Sequence, residues 1–380
     1  MRDGWTETTL GDVAKASWGN TTVTKKQYQE SGFTAFSASG PDGFVDWYEH
    51  DGEGIVLSAI GALCGKTWLA EGKWTPIKNT IWIKSNSANC LTEYLFLQTK
   101  SPSLWPIRGQ AQPFISLGDV RLVEILLPPI AEQQRIVDVV SSVDAYIDAL
   151  QQQVDAARTA RNAVLHELLS IGGNDWAETT LGEVAETRLG KMLSATSNLD
   201  VGSLLPYLRN ANVRWGKIDL SDLNEMFFSE REIEILSLKE GDVLICEGGE
   251  PGRSAYLDRD LPGVLFQKAV HRVRCTSVLR PKYLVYWMEF QTRNSKIEDF
   301  LTSTTIAHLT GEKLRQLPIF LPSLIEQDGT VTVVESFDQL IDQGEETLNR
   351  AKSLRSGLLS DLLSGEHEIP VSYDIFLEAA

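Results

Sequence analysis

A chain of 380 residues is longer than one ordinary hydrophobic core serves, so two or more domains are expected. With 42% hydrophobic and 23% charged residues its composition is that of a folded globular protein, which excludes a chain disordered throughout. No apolar run approaches the ~20 residues that span a bilayer, and Met1–Leu10 lacks the basic-then-apolar order of a signal peptide, so no membrane segment and a cytoplasmic location are expected. The net charge of −17 would repel DNA phosphates if it were evenly spread, but residues 1–130 hold 11 basic and 13 acidic side chains and residues 173–323 hold 18 and 21. Residues 131–172 and 324–380, with 6 basic and 18 acidic side chains together, carry most of the excess and leave two nearly neutral segments that can present basic patches. Cys64, Cys90, Cys246 and Cys275 are dispersed, which argues against a disulfide framework or a zinc knuckle.

In chain order, residues 1–130 begin with WTETTLGDVA (Trp5–Ala14) and read as a mixed α and β body, with strands at Gly54–Ile60 and Ile81–Lys84 and a turn at Ser39–Gly43. Near its end RGQAQPF places Arg108, Gln110 and Gln112 on a loop bounded by Gly and Pro, and Arg and Gln are side chains that make bidentate contacts with guanine and adenine. After the joint LPPIAEQ (Leu127–Gln133), residues 131–172 form a long helix. Ile136, Val140, Val143, Ile147, Leu150, Val154, Ala157, Arg161, Val164 and Leu168 recur at alternating steps of four and three, a heptad seam.

The second half repeats the first. Trp176–Ala185 (WAETTLGEVA) matches the opening segment at eight of ten positions, the joint returns as LPSLIEQ (Leu321–Gln327), and residues 173–323 form a second body with little sequence in common with the first. Its strands fall at Asp242–Cys246 and Ala269–Arg274. YLRNANVRWG offers Arg209, Asn210, Asn212 and Arg214, and TSTTIAHLT offers Thr304, Thr305 and His308, for contact with nucleic acid. In QKAVHRVR, strand alternation puts Lys268 and Arg272 on one face, suited to the DNA backbone. Residues 324–365 repeat the helical seam at an offset of 194, through Val334, Phe337, Ile341, Leu348 and Leu358, and residues 366–380 form a tail. Two helices in one register invite antiparallel pairing, so the expected fold is α+β: two globular α/β domains separated by two long antiparallel-paired helices, a pseudo-twofold internal repeat. Gly329, Gly344 and Gly357 should weaken the second helix.

Three patterns fall short of catalytic motifs. GALCGKT (Gly61–Thr67) has one residue too few between its glycines for a phosphate-binding loop, His166–Glu167 lacks the second His of a zinc-protease helix, and Pro41, Asp42, Glu71 and Lys73 give a nuclease-like spacing with no equivalent in the second half. The chain reads as one that binds and does not react.

The joint LPPIAEQQRIV, the duplicated TTLGDVA and TTLGEVA, and the body strings GDVLICEGGEPGR (Gly241–Arg253), QKAVHRVR and IAHLTGEKLRQLPI (Ile306–Ile319) resemble the specificity subunits of type I restriction-modification systems. The resemblance implies two target-recognition domains that each read half of a bipartite, asymmetric sequence in double-stranded DNA. It also implies paired helical spacers that set the gap and scaffold two modification subunits, and through them restriction subunits. S-adenosylmethionine, ATP and Mg would then belong to those partners, with no cofactor, metal or catalytic residue on this chain. The alternative is an acidic interaction protein, a DNA mimic that inhibits a methyltransferase or nuclease.

Overall fold

The computed structural model describes residues 4–170, 176–192, 202–302 and 307–373. It divides into two compact units, residues 1–151 with 346–380 and residues 152–345, so that each unit holds one body and a part of both long helices.

Unit 1 opens with β1 (Thr6–Thr9), α1 (Leu10–Val13) and β2 (Ala14–Trp18). It continues through β3 (Phe33–Ser37), β4 (Gly40–Val45), β5 (His50–Asp51), β6 (Gly54–Ser58), β7 (Thr67–Ala70), β8 (Lys73–Pro76) and β9 (Thr80–Ser85). The body closes with α2 (Thr92–Thr99), α3 (Leu117–Arg121) and β10 (Glu124–Leu127), and the chain enters α4 (Ile130–Ser170). The main sheet is antiparallel in the order β2-β9-β6-β7, and a second sheet, β4-β3-β8-β5, contains the parallel pair β3 and β8. Alternate residues explain why the main sheet is covered on both faces. Ile55, Leu57, Ile81 and Ile83 pack with Leu95 of α2 and Ile115, while Val56 and Trp82 pack with Phe36, Ala70 and Trp74.

Unit 2 comprises β11 (Ala177–Thr180), α5 (Leu181–Val184), β12 (Ala185–Leu189), β13 (Ser203–Leu208), β14 (Asn224–Phe228), α6 (Glu230–Ile235), β15 (Val243–Cys246), β16 (Ser254–Tyr256), β17 (Leu265–Phe266) and β18 (Val270–Cys275). Then follow α7 (Pro281–Arg293), α8 (Gly311–Gln316), β19 (Pro318–Leu321) and α9 (Leu324–Ser364). Its main sheet runs β12-β18-β15-β16, strand for strand the order of unit 1, and β13 pairs in parallel with β17 as β3 does with β8. The bodies have lost common sequence and kept the main-sheet order and the core of the second sheet, which among the described residues has three strands, β14-β13-β17, in unit 2 and four in unit 1.

The joints explain their own motif. In unit 1 the buried Gln133 accepts from the Leu91 N–H (2.9 Å) and donates to the carbonyls of Asn89 (2.7 Å) and Pro128 (2.8 Å). In unit 2 Gln327 accepts from the Arg280 N–H (2.8 Å) and donates to the carbonyls of Val278 (3.0 Å) and Pro322 (3.0 Å). A side-chain amide with one acceptor and two donors used satisfies the orphan backbone groups where each long helix leaves its body.

Both long helices run 41 residues, and within each unit α4 packs antiparallel on α9. In unit 1, Ile136 and Val140 meet Leu358 and Leu362, and Val143, Ile147 and Leu150 meet Leu348 and Ala351. In unit 2, Leu165 shares a core with Val334, and Val154 lies against Gly344; Ile341 is buried and Phe337 half-buried. The arginines in the seam form matched ion pairs. Arg355 holds Asp144 with two hydrogen bonds (2.6 and 2.8 Å), and its repeat-equivalent Arg161 reaches Asp338 (2.6 Å), the equivalent of Asp144. The glycines expected to weaken α9 do not interrupt it. A Cβ on Gly344 would stand 2.8 Å from Cγ2 of Val154, so this glycine is what lets the helices approach, while Gly329 and Gly357 face open space.

One strand expectation is corrected. β18 starts at Val270, because Ala269 takes φ = 127°, so Lys268 lies in the preceding turn and not on the strand. Arg272, expected to face DNA, is 2% exposed and donates to the carbonyls of Ile235 (2.9 Å) and Ser237 (2.7 Å), and Arg274 pairs with Asp242 (2.7 Å). The alternation was that of a strand with a wet face. β18 has none, since Val273 packs under α7 and Val270 packs toward the second sheet.

Candidate nucleic-acid interface

In unit 1 the candidate loop grows from the end of the main sheet. Beyond β6 the Ala59 N–H donates to the Asn79 carbonyl (3.0 Å), and the Ala59 carbonyl accepts from the Ile115 N–H (2.9 Å). Arg108 and Phe114 then exchange two backbone hydrogen bonds (2.9 and 2.8 Å) that pinch residues 108–114 into a closed loop. Gly109, at φ = 82°, is required there, because a Cβ would meet the Gln112 carbonyl oxygen at 2.6 Å. Gln110 and Gln112 are exposed and make no side-chain hydrogen bond, beside the exposed rings and methyls of Phe114 and Ile107. Arg108 is tied to Asp119, whose carboxyl is held below the usual range by the Ser116 hydroxyl and then by Arg108 itself.

Unit 2 builds the same frame from different residues. The Glu247 N–H donates to the Ala269 carbonyl (2.8 Å), the Glu247 carbonyl accepts from the Leu309 N–H (2.8 Å), and the Thr302 N–H donates to the His308 carbonyl (3.0 Å). Thr302 and His308 therefore take the places of Arg108 and Phe114, at the 194-residue offset of the joints. Thr304 and Thr305 lie outside the described residues. The His308 ring lies over Gly248, where a Cβ would be 3.0 Å from Nδ1, and the Asn210 amide lies against Gly249 and donates to the Gly248 carbonyl (3.3 Å). Two residues 98 positions apart in the chain thus meet on one glycine turn.

The other candidates separate. Asn212 is buried, accepting from the Arg209 N–H and donating to the carbonyls of Asp219 (3.0 Å) and Asp222 (2.8 Å), so it builds the turn. Arg209 is ion-paired with Asp222. Arg214 and Lys268 are exposed with no side-chain hydrogen bond or ion pair. Sequence reasoning missed Lys78, which precedes Asn79 (φ = 71°) as Lys268 precedes Ala269, and is likewise exposed and unpaired. The equivalence of the two turns rests on backbone hydrogen bonds, which leave no mark in side-chain sequence. For Ala269 the positive φ is strained by about 1–3 kcal/mol.

The near-motifs have other roles. Gly61–Lys66 is the turn of the β6–β7 hairpin, the His166 ring packs on Phe290, and Asp42 is held by Lys25, Ser37 and Tyr28. Among the described residues no group of three or more His, Cys, Asp or Glu could hold a metal, and no helix is long and apolar enough to cross a membrane.

Two bodies with one main-sheet order, each with the same backbone frame and each carrying part of both long helices, define a duplicated scaffold. The chain belongs to the type I restriction modification DNA specificity domain family, whose model matches residues 2–157 and again 173–352. It is accordingly a specificity subunit, the non-catalytic kind of component of a type I restriction-modification system. It is 23% identical over 340 residues to the type I restriction enzyme MjaVIII specificity subunit of Methanocaldococcus jannaschii, covering 82% of this chain and 78% of that one. Its fold resembles the type I restriction-modification S subunit of M. genitalium (TM-score 0.62, 17% identity, 96% and 97% of the two chains). It also resembles a chain from a structural study of complex assembly and conformational transition of the type I R-M system (TM-score 0.63, 18% identity, 95% and 98%). The family match does not favour the reading of the chain as a DNA mimic.

Proposed function

We propose that each unit reads one half of a bipartite, asymmetric sequence in double-stranded DNA and that the chain scaffolds two adenine-methyltransferase subunits and, through them, restriction subunits. The observation that carries this reading is the pair of equivalent loop anchors, Arg108 with Phe114 and Thr302 with His308, set on the same backbone frame at Ala59 and Glu247 and built from different side chains, the second closed by one backbone bond and by the His308 N–H on the Thr302 hydroxyl. A common frame with divergent tips suits two readers of unlike half-sites. Gln110 and Gln112 in one unit, and Asn210 and His308 in the other, are the polar groups best placed for base edges. S-adenosylmethionine is assigned to the modification subunits, ATP and Mg to the restriction subunits, and the assembly to the cytoplasm.

The test is to replace residues 15–115 by the corresponding body of a related subunit and to map the methylated motif in host DNA. One half of the motif should change while the other half is kept. A change in both halves refutes the assignment of one half-site to each unit.

A further inference from the structure

If base reading differs between the two units, contacts with the sugar-phosphate backbone need not, because phosphate is the same at every base pair. The side chains to look for are therefore cations that keep one place in the frame although the bodies around them have diverged. The chain contains such a pair.

Pro76–Ser85 and Phe266–Cys275 occupy the same place. The Asn20 N–H donates to the Pro76 carbonyl (2.8 Å) and the Lys191 N–H to the Phe266 carbonyl (3.1 Å). The Gly19 N–H donates to the Thr80 carbonyl (2.9 Å) and the Gly190 N–H to the Val270 carbonyl (3.1 Å). Between these anchors the chain turns through a residue of positive φ, Asn79 or Ala269, whose carbonyl accepts the hydrogen bond that starts the recognition-loop frame. Lys78 and Lys268 immediately precede it.

Most basic side chains of the unit 1 body are engaged: Lys25 with Asp42, Lys84 with the Asp51 carbonyl, Arg108 with Asp119, Arg121 with the Ala16 carbonyl, and Lys15, Lys66, Lys73 and Lys100 over aromatic rings. Lys78 and Lys268 have no such partner, on turns fixed by backbone bonds on both sides. A solvated ammonium held on a rigid turn loses little on meeting a phosphate and releases a condensed counterion when it does.

We propose that Lys78 and Lys268 are equivalent DNA-phosphate contacts, one per half-site, that position each recognition loop without reading sequence. This rests on the function proposed above. The test uses the full chain assembled with its methyltransferase subunits and a duplex carrying the methylated motif, with a scrambled duplex beside it. Affinity is measured as a function of salt for wild type, Lys78→Ala, Lys268→Ala, the double variant and Lys78→Arg.

Each alanine should weaken binding to both duplexes alike, about fivefold at 0.15 M salt, and lower the slope of log affinity against log salt by about 0.9. The double variant should lose both increments, Lys78→Arg should retain affinity, and the methylated motif should be unchanged. If wild type binds but the alanine variants match it in affinity and slope, this inference fails and the proposed function stands. If a variant alters the motif, the lysine reads bases and the inference fails equally. If assembled wild type shows no preference for the motif, the proposed function fails, and this inference with it.

Discussion

Glu289 is 4% exposed and depends on Arg161, which meets it with two hydrogen bonds (2.8 and 2.9 Å), reaches Asp338 with its Nε, and lies over the Tyr286 ring. Its repeat-equivalent Arg355 has only Asp144, which is 40% exposed. The same residue type in the same register therefore carries unequal weight. Removing Arg161 leaves a buried carboxylate with Arg293 alone, so Arg161→Ala should destabilise unit 2 by about 3 kcal/mol, whereas Arg355→Ala should destabilise unit 1 by about 1 kcal/mol or less. Denaturant unfolding of the two variants checks this, and equal losses would show that burial does not separate the pairs. His50 lies between Trp74 and Trp82 (ring centroids 4.4 and 4.5 Å away), with Nε2 buried and unpartnered. Burial first, and then Lys84 and Lys15, push its pKa down to about 4. Since the folded value lies below the ordinary 6.5, the neutral ring's contribution is complete above about pH 6.5 and is lost as the pH falls toward 4. His50→Phe keeps the stacking and should flatten that part of the stability profile. Parallel wild-type and variant profiles through this window would mean that His50 does not titrate as placed.

Among the elements, α4 and α9 were the most legible, since an apolar residue every third or fourth position states both the helix and its seam. The register came only from the structure. Moving from Asp144 to Arg161 along α4 matches moving from Arg355 to Arg161's partner Asp338 along α9, step for step. Four residues inserted in α4 between Gln151 and Val154 alone would force either a bulge or the loss of one unit's register. Four more inserted in α9 between Gln343 and Thr347 would keep both, and add about 6 Å of helix with the seam nearly in phase. The matched insertion should retain near-wild-type stability and lengthen the spacer of the methylated motif by one or two base pairs. The single insertion should lower the unfolding midpoint. A stable matched variant with an unchanged spacer would show that the helices do not set the gap. The strands were harder to read. β6, β9 and β15 were visible as apolar runs, but β18 misled, because its polar alternation suggests a wet face and both of its faces are covered.

For the whole molecule, the repeat was plain where local chemistry repeats. TTLGDVA and TTLGEVA open each body, and LPPIAEQ and LPSLIEQ close it, because Gln133 and Gln327 perform the same three hydrogen bonds. Those motifs, with the body strings GDVLICEGGEPGR, QKAVHRVR and IAHLTGEKLRQLPI, carry the resemblance to the family to which the chain belongs.

What the sequence determined by itself was thus whatever depends on near neighbours: the helices with their apolar stripe, the joints, the duplicated order of domains and the family. The tertiary structure decided that the diverged bodies share the strand order of their main sheets, that Thr302 and His308 stand where Arg108 and Phe114 do, and that Arg272 is interior while Lys78 and Lys268 stand free. The reason is physical. Strand pairing and loop closure are made by backbone N–H and carbonyl groups, which every residue but proline carries in full, so two sequences can keep the same hydrogen bonds and share almost no side chains.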